Sequence, residues 1–368
     1  MASTLYIGLM SGTSTDGVDA VLADFSQPHR PRMLASVSLP MPDPLRNDCL
    51  ALNIPGPDEL QRAALAGNAL ADLYAQASMA LLSQARVEPR QVAAIGAHGQ
   101  TVRHDPAAGY TIQINAPARL AEHTGIPVIA DFRSRDVAAG GQGAPLVPAF
   151  HHALFSCGKA RAILNLGGIA NVTLLDAQGG IRGFDTGPAN VLLDLWVHAK
   201  TGQAYDAGGT WAGAGQSQRT LLDYLIASEP WFRQAPPKST GRDRFNWTWL
   251  AQRLEQFGAQ GLSDRDIQAT LQKLTASTVA QAIADYAPGT QEVIVCGGGA
   301  LNGGLMADLH QLIPARVYPS SELNVPVQLV EALAFAWLAW AHECGYPAGL
   351  PAVTGARQPT ILGCKYPA

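Results

Sequence analysis

Short apolar runs alternate with longer helical stripes along this chain. Leu5-Tyr6-Ile7 and 20–25 are apolar, and 8–19 between them is small, polar and glycine-punctuated. That reads as two strands joined in a hairpin. Over 58–86, Leu60, Ala63, Leu70, Leu73, Ala77 and Leu81 recur at spacings of three and four. This predicts one long amphipathic helix, with Asp58 as candidate N-cap after Pro55-Gly56-Pro57. The run 92–97 predicts a buried strand that delivers His98, Gly99, Gln100 and Thr101 at its carboxyl end. A strand at 111–114, a helix at 118–124 and a strand at 128–131 follow. The last ends on Asp131 and continues into Phe132 and Arg133. Open α/β sheets place ligands at such strand ends.

The plan of 5–25 returns at 160–176 as strand, glycine turn and strand around Gly167-Gly168. Two copies half a chain apart suggest an internal duplication. The glycine-rich segment 140–145 suggests a boundary, dividing the chain into 1–145 and 146–368. Beyond it the pattern predicts helices at 191–199, 264–286 and 305–313 and a strand at 292–296. The longest apolar stretch, 325–341, is interrupted by Glu331 and is too short and polar to span a bilayer. It reads as a buried helix.

Composition narrows the class. The chain has 368 residues, 47% apolar and 15% charged, which suits two globular domains. The net charge is -4 and no basic run occurs, which argues against nucleic acid as the main partner. Five scattered cysteines without a Cys-x-x-Cys give no disulfide framework or structural zinc site. No basic segment precedes an apolar run at the N-terminus, so the expectation is a cytoplasmic protein with reduced thiols and no membrane partner.

The first loop carries candidate chemistry. Gly12 and Gly17 let backbone approach an anion, and Thr13, Ser14 and Thr15 carry hydroxyl donors. Asp16 and Asp19 would repel phosphate unless Mg²⁺ lies between. Alone, such a stretch reads first as a polar hairpin turn with no ligand. The triple glycine Gly297-Gly298-Gly299 joins a strand to a helix, as in nucleotide-binding turns. It lacks the dinucleotide fingerprint, and no P-loop motif exists, so a tight structural turn remains the alternative. Asp185, bracketed by Gly183 and Gly187, is either a carboxylate presented to a ligand or a cap for the following helix. His98 and Asp131 have no neighbouring partner at metal-ligand spacing, so hydrogen bonding is the expected role and no metal ligand is assigned. Glu331 needs either an ion-pair partner or a ligand.

The run Gly8-Leu9-Met10-Ser11-Gly12-Thr13-Ser14 with Asp16-Gly17 and Asp19 resembles the opening signature of the anhydro-N-acetylmuramic acid kinases. Further blocks resemble that family in order. They begin at His98-Gly99-Gln100-Thr101, Asp131-Phe132-Arg133 and Gly140-Gly141-Gln142-Gly143, and continue at Asn165-Leu166-Gly167-Gly168, Gly183-Phe184-Asp185-Thr186-Gly187-Pro188, Lys238-Ser239-Thr240-Gly241-Arg242 and Val353-Thr354-Gly355-Ala356.

The resemblance implies the α/β fold of the sugar kinase, actin and heat-shock ATPase superfamily. That means two related actin-like domains with an interdomain cleft. It implies ATP and Mg²⁺, with Gly12, Thr13, Ser14, Thr15, Asp16, Gly17, Val18 and Asp19 as first phosphate loop. Gly167, Gly168 and Asn171 would form the second, and Gly297, Gly298 and Gly299 the adenosine loop. His98, Gln100, Thr101, Asp131, Arg133 and Glu331 would face the sugar, and Asp185 would be the catalytic base. The implied reaction opens 1,6-anhydro-N-acetylmuramic acid with water and phosphorylates O6, giving N-acetylmuramic acid 6-phosphate and ADP in cell-wall recycling. A cytoplasmic homodimer is expected. The rivals are a kinase for another anhydro sugar such as levoglucosan and a non-catalytic nucleotide switch of the actin or chaperone type.

Overall fold

The computed structural model describes residues 3–12 and 15–368. They divide into two compact units. The first runs to Phe155 and takes back Leu329–Ala368; the second is Ser156–Gln328. The expected division at 145/146 therefore needs two changes. The helix Pro148–Phe155 stays with the first unit, and so does everything after Gln328.

The strands are, in order, β1 (Leu5–Met10), β2 (Gly17–Asp24), β3 (Arg32–Pro40), β4 (Val92–Ala97), β5 (Gln100–Asp105), β6 (Tyr110–Ile114) and β7 (Val128–Ala130). The second unit holds β8 (Arg161–Leu166), β9 (Ile169–Leu175), β10 (Ile181–Pro188), β11 (Glu292–Cys296) and β12 (Arg316–Pro319). β13 (Cys364–Tyr366) returns to the first unit. The first sheet has order β13-β7-β4-β1-β2-β3, and the second β10-β9-β8-β11-β12. Each is an antiparallel three-strand meander, β1-β2-β3 or β8-β9-β10, whose first strand then pairs in parallel with β4 or β11. A further parallel strand, β7 or β12, follows. The duplication legible in the two hairpins thus extends to whole sheets, and the chain consists of two related α/β units.

Alternation along β1 and β4 sends side chains to opposite faces. Ile7, Leu9, Ile95 and Ala97 enter a core with Leu70, Leu73, Tyr74 and Leu81 of the helix Glu59–Ala85. Gly8 and Gly96 face the helix Val330–Glu343. A Cβ on Gly8 would lie 1.9 Å from the Ala332 carbonyl oxygen, and one on Gly96 2.0 Å from that of Phe335. The helix backbone therefore rests directly on the sheet, which is why the C-terminal segment belongs to the first unit. In the second unit, Leu164, Val172 and Val295 pack with Val279 and Ile283 of the helix Asp264–Tyr286 and with Leu305 and Leu309 of Gly303–Leu312.

The predicted helices and strands recur with small shifts, and three expectations change. Asp58 occupies the N-cap position but is left-handed (φ 52°) and makes no capping bond. Glu59 receives the Gly56 amide there instead. The apolar stretch 325–341 turns helical only from Val330, because Pro326 removes an amide donor and disfavours helix before it. Residues 100–105 are strand β5, which forms a hairpin with β6. Residues 183–188 are strand β10, with a bulge between Asp185 and Gly187, where a turn was expected. Among the described residues, no helix is long and apolar enough to cross a membrane.

Overpacking a full core typically costs about 1–3 kcal/mol. Gly96→Ala must push the Phe335 backbone away, so denaturant titration should show a loss of that size. An unchanged midpoint would mean the helix does not rest on the sheet as described.

Candidate functional site

The first unit gathers its candidates where β1 and β4 end side by side. Ser11 follows β1 and is fully buried. Its hydroxyl donates to Gln100 Oε1 at 2.5 Å. Its carbonyl lies 3.3 Å from His98 Nδ1, and the His98 amide donates to Leu9 O at 3.1 Å. Gln113 donates to the Thr101 hydroxyl at 3.2 Å. Arg133, at the start of the helix Ser134–Ala138, donates through Nε and Nη2 to His98 Nε2 at 3.2 and 2.9 Å. It also donates through Nη1 to the Gly143 carbonyl at 2.8 Å. His98, Gln100, Thr101 and Arg133 thus form one network with the root of the first loop.

These contacts settle the state of His98. Burial, with the adjacent Arg133 cation, pulls its pKa from 6.5 to about 3. The ring is neutral, Nδ1–H donates to Ser11, and Nε2 accepts from Arg133. The geometry makes the ring a fixed acceptor for the Arg133 guanidinium.

On either side of the loop's centre, the Thr15 amide donates to Gly12 O at 3.1 Å, with Thr15 at φ 53°. Thr13 and Ser14 lie outside the described residues. Asp16 is exposed, and Asp19 accepts from Ser38 Oγ at 2.5 Å. Burial and the Asp16 charge raise the Asp19 pKa. Val18 points into the core, so only its backbone remains for a ligand. Asp131 is exposed, left-handed at φ 57°, and accepts from Ser134 Oγ at 2.5 Å. Glu331 sits half-buried in the first turn of the helix that lies on β1.

The second unit builds its site on β8, β9 and β10. Registers Asp185↔Asn171 and Asn165↔Asn171 place three polar residues in a row across three strands. Cys296 follows on β11, opposite Asn165. The turn Gly167-Gly168 caps this row and also starts the helix Asn190–Thr201. The Asn190 amide donates to Gly167 O and those of Ala189 and Val191 to Gly168 O, each at 3.0–3.1 Å. Asn190 Nδ2 donates to Leu166 O at 3.0 Å. The 297–299 turn packs onto the same place: a Cβ on Gly297 would meet Asn165 Oδ1 at 2.5 Å, and one on Gly299 would meet Leu166 Cβ at 2.6 Å. Gly167, Gly168, Asn171 and Gly297 to Gly299 are therefore neighbours.

Asp185 is not a helix cap. The helix after it begins at Asn190 with Ala189 at the cap and no side-chain capping bond. The Asp185 carboxylate instead accepts the Thr240 amide at 2.9 Å, and its own amide donates to Lys238 O at 3.1 Å. Lys238 Nζ stands 4.4 Å over the Trp231 ring and donates to Phe232 O. Burial lowers the Lys238 pKa, opposed by the charge of Asp185. Asn171 Oδ1 and Thr240 Oγ1 are buried without a hydrogen-bond partner, and both residues adjoin Asp185. Buried polar atoms normally find partners, so this is a place shaped for a polar ligand.

The residues fit a nucleotide with magnesium. A Cβ on Gly167 would meet nothing closer than 3.6 Å and one on Gly298 nothing closer than 3.8 Å. A side chain at either would make only ordinary contacts with the protein. Asp16 and Asp19 supply the hard oxygens magnesium takes. Among the described residues, no group of three His, Cys, Asp or Glu could hold a metal ion.

The model of the family described as anhydro-N-acetylmuramic acid kinase matches residues 4–368. The chain belongs to this family. A curated anhydro-N-acetylmuramic acid kinase of Bordetella parapertussis is 62% identical over 99% of this chain and 96% of its own length. That of Pseudomonas paraeruginosa is 53% identical over 99% of each, and that of Ralstonia nicotianae 52% over 100% and 98%. The solved activator of the 2-hydroxyisocaproyl-CoA dehydratase from Clostridium difficile aligns over 93% of this chain and 96% of its own. Its 14% identity and TM-score of 0.49 are too low to add to the fold described above.

Within this family member, Asn165, Lys238 and Thr240 lie in blocks that carry the resemblance but received no site role from the sequence, and neither did Asn190. A signal existed for the first: Asn165 and Asn171 lie three residues either side of Gly168, the spacing at which a hairpin pairs them. For Thr240 the block gave no pointer to Asp185, because their link spans a 55-residue separation.

The depressed His98 pKa gives a pH prediction. The neutral ring is favoured in the fold, so its contribution is complete above about 6.5 and declines as pH falls toward 3. The His98 ring resonances, assigned with His98→Gln, should stay those of neutral imidazole from pH 8 to about pH 5. Titration near 6.5 would contradict the buried contact with Arg133.

Proposed function

We propose that this protein is an ATP-dependent kinase that opens 1,6-anhydro-N-acetylmuramic acid and phosphorylates O6, yielding N-acetylmuramic acid 6-phosphate and ADP. It acts in the cytoplasm as a homodimer with Mg²⁺. The observation that carries the mechanism is Asp185, held by Thr240 in a row with Asn171 and released from any capping role.

In the anhydro sugar O6 is bonded to C1, so no hydroxyl is free for transfer. A water must add to C1 as the C1–O6 bond breaks, and O6 then takes the phosphoryl group. Asp185 accepts the proton of that water. The Thr240 amide fixes the carboxylate, and the open acceptor of Asn171 beside it orients the water or a sugar hydroxyl. Backbone amides of the turns at Gly167-Gly168 and 297–299 hold the phosphates. Bound ATP supplies the activated phosphoryl group, and magnesium at Asp16 and Asp19 its charge neutralisation.

Arg133 favours this sugar over levoglucosan. Muramic acid carries a lactyl carboxylate, and Arg133 is a cation held in place by His98 and Gly143. Charge-assisted hydrogen bonds contribute about 1.5–3 kcal/mol, or roughly 10- to 150-fold. Arg133→Met should raise KM for the anhydromuramic sugar by that factor, in a side-by-side assay with levoglucosan. Equal use of both sugars by the unaltered chain would favour the second sugar. No sugar-dependent ADP release at all would point to a nucleotide switch.

General-base loss typically costs about 10²- to 10⁴-fold in kcat. Asp185→Asn keeps size and can still accept from the Thr240 amide, so it should lose activity to that extent at unchanged melting temperature. Wild-type turnover in a folded Asp185→Asn protein would remove Asp185 from the chemistry.

A further inference from the structure

Asp136 is fully buried, on the helix Ser134–Ala138 one turn beyond Arg133. Its Oδ2 accepts the Gly143 amide at 2.8 Å, and its Oδ1 the Thr354 hydroxyl at 2.7 Å. Its carbonyl takes the Gly141 amide at 2.9 Å. A Cβ on Gly141 would lie 2.2 Å from Oδ2, so the loop is wrapped directly on the carboxylate. The Gln142 amide donates to Thr354 O at 2.8 Å, tying the same loop to the C-terminal segment. The product of this arrangement is the position of one atom, the Gly143 carbonyl oxygen, which receives Arg133 Nη1 at 2.8 Å. That bond and His98 Nε2 together fix the guanidinium plane.

We propose that Asp136 is a positioning residue for substrate binding: it sets the Gly143 carbonyl and through it aims Arg133 at the sugar's carboxylate. A buried carboxylate is costly, and neither of its side-chain partners here is a cation. Its bonds go to a backbone amide of residues 140–143 and to a hydroxyl 218 residues away in sequence. The inference rests on the reading of Arg133 as the sugar-facing cation.

The test uses the full chain and two readouts. The first needs no substrate. The nitrogen shift of His98 Nε2 reports the Arg133 N–H groups that point at it. Asp136→Ala should move that shift in the direction Arg133→Ala does, and an unchanged shift overturns the proposal. The second is kinetic. Asp136→Ala should raise KM for the anhydromuramic sugar about tenfold, with KM for ATP within about twofold. In the Arg133→Ala background it should add nothing, since residues acting through one another are non-additive. Additive losses overturn the proposal. Asp136→Asn should restore both readouts, because its oxygen still accepts from Gly143 and its amide nitrogen donates to the Thr354 hydroxyl. Failure of that rescue also overturns it. Should Asp136→Ala fail to fold, Thr354→Val removes one of the two bonds and should give the same changes at smaller size. Arg133→Ala alone tests the underlying reading: an unchanged sugar KM with a moved Nε2 shift removes Arg133 from the sugar site while leaving the Asp136 geometry intact.

Discussion

In each unit, protein atoms lie where a Cβ would have to be beside the parallel pair of strands. In the first, Ala332 and Phe335 occupy the space above Gly8 and Gly96. In the second, Leu166 and Asn165 occupy the space beside Gly297 and Gly299. Both contacts fall on the parallel pair that follows the hairpin, β1 with β4 and β8 with β11. They decide what gathers at the strand ends. The first brings Glu331 and its helix onto the strand that carries the first loop. The second brings the 297–299 turn onto the turn at Gly167-Gly168. Glycine is required at these positions for packing, and the candidate chemistry is a consequence of what that packing brings close.

Electrostatics then sorts roles. His98 is buried against an arginine and stays neutral, so it serves as an acceptor that holds Arg133. Asp185 sits half-buried at a bulge, gripped by one backbone amide and flanked by acceptors that lack partners. Their surroundings therefore differ: the histidine ring is fixed as an acceptor for a guanidinium, and the aspartate lies beside the buried polar atoms of Asn171 and Thr240.

Much of this was legible in the chain. Periodicity marked the long helices, Glu59–Ala85 and Asp264–Tyr286, because an amphipathic or buried stripe has a period of its own. The hairpin plan showed the duplication. Other features depend on partners far away in sequence. The return of the C-terminal helix to the first unit follows from Gly8 and Gly96, which as isolated glycines look like turn residues. The Asp185 turn was a bulged strand, since its pairing with β9 is a sheet property that local glycines disguise. Asp136 passed as an ordinary acid beside Arg135, and only folding buries it against Thr354. Val18, inside a loop motif, belongs to the core because alternation along β2 turns it inward.

The central claim is that one turnover couples water attack at C1 to phosphorylation of O6. Running the reaction in heavy-oxygen water and locating the label in the products tests it most directly. The account predicts one labelled oxygen on C1 of the sugar phosphate and none in the phosphate group. Label in phosphate, or an unlabelled C1, would contradict it.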